Sequence, residues 1–169
     1  MKSDLQFSDW KPWIAREEHD GVDLPGIYAL ALSEKNLTNT PFAFRREIVY
    51  FGMTNAQRGL KGRLRQFENT IRGKEGHGGA QRFRYKHPDY TTLTRALFVS
   101  VCVFDCDVTS KKPRDLRIMG EVARFEFECF ARYAEKFSEL PEFNDKARSL
   151  KKQKGTNKSV QTRPTSRPV

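Results

Sequence analysis

Two short apolar runs followed by a basic helical stretch set the character of the sequence between Gly26 and Arg63. The first run is Gly26-Ile27-Tyr28-Ala29-Leu30-Ala31-Leu32 and the second is Glu47-Ile48-Val49-Tyr50-Phe51-Gly52. Both are built from residues that suit a pleated strand, and each carries a tyrosine close to a glycine. Antiparallel neighbours lie ~5 Å apart, so a hairpin of these runs brings Tyr28 and Tyr50 within reach of each other. The segment Leu60-Lys61-Gly62-Arg63-Leu64-Arg65-Gln66-Phe67 then delivers an arginine to the same end of the hairpin. That convergence marks a candidate active site.

The rest of the chain supplies a small domain around this stretch. The almost unbroken apolar character of residues 26–32 predicts a strand covered on both faces. Residues 33–46 are long for a hairpin loop. Apolar residues at 60, 64, 67 and 71 predict a helix over about residues 57–73, with Lys61, Arg63, Arg65 and Arg72 on its remaining surface. A glycine-rich break surrounds His77, and a short helix over 79–86 is stopped by Pro88. Residues 96–104 read as the clearest strand, and 105–114 as a polar loop. Ile118, Val122, Phe125, Cys129, Phe130, Tyr133 and Phe137 mark the longest amphipathic helix, over residues 115–138. No internal repeat is visible. The expected architecture is one α+β domain over residues 25–144, in the order β-β-α-α-β-α. Its sheet is three-stranded, antiparallel or mixed, and flanked by helices. Residues 1–24 form a lead-in that packs Trp10 and Trp13 on the core.

Charge narrows the partner class. The 169 residues carry a formal net charge of +10, which favours a polyanion, nucleic acid before a membrane. Residues 145–169 hold eight Lys or Arg against one Asp. This tail is too poor in apolar residues to fold by itself and reads as disordered. No apolar run approaches the ~20 residues of a membrane span. Three cysteines and no signal-peptide pattern indicate a soluble protein of the reducing cytoplasm. Cys102 and Cys106 lack further Cys or His at zinc-ligand spacing and read as small buried hydrophobes.

Glu126 is the most informative single residue. Its helical neighbours are Val122, Cys129, Phe130 and Tyr133, and a carboxylate on such a stripe needs a cation, a metal or a donor. Pairing with a nearby arginine and ligation of a hard cation such as Mg²⁺ both satisfy it. Arg63 borders the apolar face of its helix, where a guanidinium can fork onto a phosphate, although Arg58 and Arg65 compete for that role. Read singly, Tyr28 and Tyr50 suit a core, His77 a solvated loop and Asn144 a turn.

Their order in the chain resembles the GIY-YIG nuclease family. Gly26-Ile27-Tyr28 matches its first motif, and Tyr50-Phe51-Gly52 matches its second with Phe in place of Ile. Gly59-Leu60-Lys61-Gly62-Arg63-Leu64 looks like the family's following helix and puts its arginine at Arg63. His77 falls where many members place a histidine or lysine. Glu126 with Cys129-Phe130 looks like the metal-binding glutamate and its hydrophobic pair, and Pro141-Glu142-Phe143-Asn144 resembles the Pro-x-aromatic-Asn ending. The resemblance spans residues 25–144. The interval from Tyr28 to Tyr50 is longer than the family's dozen or so residues, because it includes residues 33–46.

The resemblance implies a one-metal endonuclease acting on DNA, with Glu126 holding Mg²⁺ or a substituting Mn²⁺. Tyr28, with Tyr50 beside it, would activate the attacking water, His77 would relay a proton, and Arg63 would stabilise the phosphate. Lys61, Arg65 and Asn144 are the candidate nucleic-acid contacts. RNA as substrate, or a catalytically inactive module of the same fold that only grips nucleic acid, are the alternatives. One such site nicks one strand, so double-strand cleavage implies a dimer or a second event.

Overall fold

A computed structural model describes residues 6–149 of the chain. Within them lie β1 (Lys11–Pro12), a 3-10 turn at Trp13–Ala15, β2 (Gly26–Leu32), β3 (Ile48–Thr54), α1 (Gly59–Ile71), α2 (Gly78–Lys86), α3 (Tyr90–Ala96), β4 (Leu97–Val103) and α4 (Pro113–Phe137). The fold is α+β. Its sheet is antiparallel throughout, with strand order β1-β4-β2-β3. The expected sheet had three strands; the fourth is the two-residue β1, which pairs Lys11 with Val99 and Pro12 with Phe98. A run of two residues carries no period, so nothing in the sequence marks it as a strand. The helix α3 was also unforeseen, although Asp89 caps it by accepting from the Thr92 N–H at 2.6 Å.

β2 sits between β4 and β3, which is why its sequence is apolar on both faces. Tyr28 and Leu30 face the helices α1 to α3, in a core with Leu60, Leu64, Phe67, Phe83 and Phe143. Ile27, Ala29 and Ala31 face α4, in a second core with Val122, Phe125, Cys129 and Tyr133. The long connection after β2 belongs to this second core. Phe42 stacks on Phe7 with ring centroids 4.0 Å apart, and Trp10 lies 5.7 Å from Phe42. The inserted loop thus widens the core rather than hanging from it.

Trp10 and Trp13 are both fully packed. Trp13 donates its indole N–H to Glu68 Oε2 at 2.6 Å, and Tyr90 O–H donates to Glu68 Oε1 at 2.6 Å. Arg72 Nε donates to the same carboxylate. Burial alone would raise the Glu68 pKa, but these donors together hold it below the ordinary carboxylate value. This network ties the lead-in and α3 to α1. Residues 150–169, most of the expected basic tail, lie outside the described residues; Asp145 begins a turn whose Ser149 is buried.

Candidate active site at the edge of the sheet

The register of the hairpin explains the spacing of tyrosines and glycines. Tyr28 on β2 is directly opposite Gly52 on β3, and Tyr50 pairs with Leu30, one diagonal step along. A Cβ at position 52 would overlap the Tyr28 ring and hydroxyl, so only glycine lets the phenol lie across β3. The two tyrosine rings end with centroids 6.0 Å apart. Gly79, in the first turn of α2, makes the same allowance for Tyr50, whose ring and hydroxyl occupy the space its Cβ would need.

His77 closes this pair from above. It is the N-cap of α2, its Nδ1 accepting from the Ala80 N–H at 3.2 Å, and its own N–H donates to Thr70 Oγ1. With Nδ1 taken as an acceptor, the ring proton sits on Nε2. Nε2 lies 2.9 Å from the Tyr28 hydroxyl, so His77 donates to the phenol oxygen and Tyr28 keeps its own proton for another acceptor. The Tyr28 and Tyr50 hydroxyls are near enough for each to shift the pKa of the other. The structure therefore makes His77 a donor that steadies Tyr28 and binds down α2.

Arg63 supplies the local positive charge. Burial pushes the Tyr28 phenol well above its ordinary value, and Tyr50 adds to this, while the Arg63 guanidinium opposes both. Burial also raises Tyr50, against the pull of Arg63. Arg63 Nη1 donates to Gln66 Oε1 at 2.8 Å, and its Nε is shielded from solvent with no acceptor among the described residues. A buried donor without a partner is uncommon.

Glu126 reaches the same place from the opposite layer. Because β3 is an edge strand, its outward backbone groups are free of the ladder, and every second residue finds a different partner. The Phe143 N–H donates to the Val49 carbonyl at 2.9 Å. The Asn144 amide accepts from the Phe51 N–H and donates to the Phe51 carbonyl, both at 2.8 Å. The Met53 N–H faces Glu126 and lowers its pKa. Glu126 is half-buried, and burial raises its pKa above the ordinary value, with Arg63 and the Met53 N–H opposing. Tyr28, Tyr50 and His77 lie together on one face with Arg63 beside them, and Glu126, from the other layer, is near enough to Arg63 and Tyr50 for their charges to act on one another across the edge of β3.

The three expected nucleic-acid contacts are not part of this cluster. Both polar atoms of Asn144 are spent on β3, where it acts as a short pseudo-strand. Lys61 and Arg65 share the opposite stripe of α1 from Arg63. Arg65 forks onto Glu17 at 2.9 and 2.7 Å, and Lys61 lies 3.5 Å from Asp23. Sequence reasoning missed Arg82, whose charge lowers the Tyr50 pKa and whose Nη1 donates to the Phe143 carbonyl at 3.2 Å. Its spacing of one helical turn from Gly79 was the available signal. Also missed was Glu68, which is more deeply buried than Glu126 but fully paired.

Among the described residues, no group of three or more His, Cys, Asp or Glu side chains is arranged to hold a metal ion. The three cysteines are free and buried. Glu126 instead offers a single hard carboxylate, which suits an ion that keeps most of its water and takes phosphate oxygens as further ligands. Among the described residues, no helix is long and apolar enough to cross a membrane. No protein-family model, curated protein or solved structure matches the chain.

Proposed function

We propose that the chain is a divalent-metal-dependent endonuclease of the GIY-YIG kind, hydrolysing phosphodiester bonds in DNA. The observation that carries this reading is the convergence of five side chains at the β3 edge. Among them, a buried tyrosine hydroxyl is held by an imidazole donor and overlooked by an arginine with an unmatched Nε–H. The same five residues carry the sequence resemblance. Agreement between motif order and spatial convergence is the support, since core tyrosines scattered for packing alone have no reason to meet a half-buried glutamate from the opposite layer.

In this reading Glu126 holds Mg²⁺ or Mn²⁺. When bound, the ion supplies Lewis-acid polarisation of the scissile phosphate and neutralises charge at the leaving oxygen. Tyr28 accepts the proton of the attacking water once its own phenol proton has passed to Tyr50 and the proton of the partly exposed Tyr50 to solvent, so that neither oxygen ends with two protons. The Nε2–H of His77 and the charge of Arg63 stabilise negative charge on the Tyr28 oxygen, against the burial that otherwise keeps it protonated. Arg63 directs the charge of its guanidinium to a non-bridging phosphate oxygen. The charge of Arg82 opposes the burial that raises the Tyr50 pKa.

The test is nicking of supercoiled plasmid with Mg²⁺, Mn²⁺ or EDTA by the wild type and Glu126→Ala. Metal-dependent nicking that the variant loses while still binding DNA supports the nuclease. Undiminished nicking by Glu126→Ala, or binding without cleavage by the wild type under every metal, rejects it.

A further inference from the structure

We propose that the outer face of α4 is a self-association surface, on which a second copy of this chain docks with its α4 antiparallel. This inference stands apart from the nuclease reading. Leu116, Gly120, Ala123, Phe127 and Ala131 recur at spacings of four, three, four and four, which places them on one stripe of the helix. The stripe is turned away from Val122, Phe125, Cys129 and Tyr133, which bury the inner face. All five of its residues are exposed, Phe127 to 71% and Leu116 to 51%. A phenylalanine left so open on the longest helix is unusual beside small residues that offer it no cover.

The shape of the stripe is complementary to itself. Phe127 protrudes at one end of it. Seven residues earlier, a Cβ added to Gly120 would meet nothing within 4 Å. Beside it an open groove of about 730 Å³ runs between α4 and the end of β4, with Phe104, Ile118 and Gly120 as its apolar lining and Asp105, Arg114, Arg117, Glu121 and Arg124 as its charged lining. An antiparallel partner related by a two-fold axis near Ala123 sets its Phe127 over this Gly120 and receives ours in return, the reciprocity of an isologous dimer. The same axis brings Arg117 of each copy about two residues along from Glu128 of the other, within reach of a long side chain, so that Glu128 is shared between it and Arg132 of its own chain, 2.8 Å away. A parallel pairing would instead stack Phe127 on Phe127 and set like charges side by side.

The C-terminal tail is a poor occupant for this face. Residues 150–169 contain only Leu150, Val160 and Val169 as apolar side chains, among Lys, Arg, Ser, Thr and Pro. A nucleic-acid strand has no use for an apolar stripe whose charges alternate in sign.

Light scattering and sedimentation over ~1–100 µM protein test the proposal. The expected result is a concentration-dependent dimer, with Phe127→Glu raising its dissociation constant at least ~10-fold while circular dichroism and Tm are unchanged. Arg117→Glu alone weakens the dimer, and adding Glu128→Arg restores it. Under mild oxidation Ala123→Cys, beside the axis, cross-links two copies, whereas Ala131→Cys does not. A monomer at every concentration overturns the proposal, as does a dimer indifferent to Phe127→Glu. Cross-linking at both positions means parallel pairing and overturns the geometry. A monomer that dimerises only when residues 150–169 are removed means that the tail covers the face, and likewise overturns it.

Discussion

The Nε2 of His77 stands 2.9 Å from the hydroxyl of Tyr28, and the other nitrogen of the same ring caps α2. One side chain therefore has a structural duty and a site duty, and the two are separable. His77→Ala loses both: α2 is weakened by about 1 kcal/mol through the missing cap, and nicking falls ~10²-fold. His77→Asn keeps an acceptor for the Ala80 N–H but is too short to reach Tyr28. It is expected to recover most of the Tm lost by the alanine variant and none of the activity. Thermal denaturation and nicking rates on the two proteins check this; equal recovery of both properties would contradict the division of roles.

Gly52→Ala inserts a methyl where the Tyr28 ring crosses β3. The strand and ring must shift, and overpacking of this kind destabilises by about 1–3 kcal/mol. The expected outcome is a lower urea midpoint with an unchanged slope, together with loss of activity. Gly120→Ala, placed where nothing in the same chain lies within 4 Å and assayed at a protein concentration low enough to keep the chain monomeric, gives the control that leaves the urea midpoint intact or raised.

Glu126 links stability to pH in a specific direction. Its folded pKa is raised by burial, so above the ordinary value of 4.5 the native state holds this proton more tightly than the unfolded chain. Stability from this group is present below that value and is lost as pH rises through the folded pKa. Glu126→Gln removes the desolvated charge. Its Tm should exceed that of the wild type at pH 7 by on the order of 2 °C. The difference should close as pH falls below about 4.5, while activity is absent at every pH. A variant less stable than the wild type at pH 7 would mean that the carboxylate is better paired than burial implies.

The arginines of α1 divide by stripe. Arg63→Ala should lower nicking by ~10²-fold or more, as loss of a transition-state donor does. Lys61→Ala and Arg65→Ala, whose partners are Asp23 and Glu17, should change it less than ~3-fold. Plasmid nicking by the three variants at one salt concentration decides the matter, and a large loss in Arg65→Ala would move the phosphate contact to the other face of the helix.

Much of this arrangement was legible in the chain because it follows from short-range pattern. Apolar periodicity located β2, α1, β4 and α4 to within a few residues, and the both-faces apolarity of residues 26–32 correctly marked the strand that ends up with neighbours on either side. The proximity of Tyr28 and Tyr50 followed from a two-strand hairpin. What escaped depends on contacts distant in sequence. β1 exists only through Val99 and Phe98. The role of Asn144 comes from the free edge of β3, which no local pattern reveals. Lys61, Arg63 and Arg65 look equivalent as a basic run, and only the acids of the lead-in, Glu17 and Asp23, distinguish their faces. Glu126 was singled out by its neighbours in the sequence, whereas His77, which reads singly as a solvated loop residue, entered only through the order of the motifs; it is in fact buried, because its ring caps α2, and that cap also sets the direction of its hydrogen bond to Tyr28.

The central claim is that Tyr28, from one face of the sheet, and Glu126, from the other, belong to one hydrolytic site around β3. Single-turnover nicking of plasmid DNA with Mg²⁺ by the wild type, Tyr28→Phe, Glu126→Ala and the double variant tests it most directly. Groups acting in one chemical step are strongly non-additive. The account predicts metal-dependent nicking by the wild type, a loss of ~10²-fold or more in each single variant, and a double variant no slower than the worse of the two. Losses that multiply, or a wild-type rate retained by either single variant, would contradict a shared site.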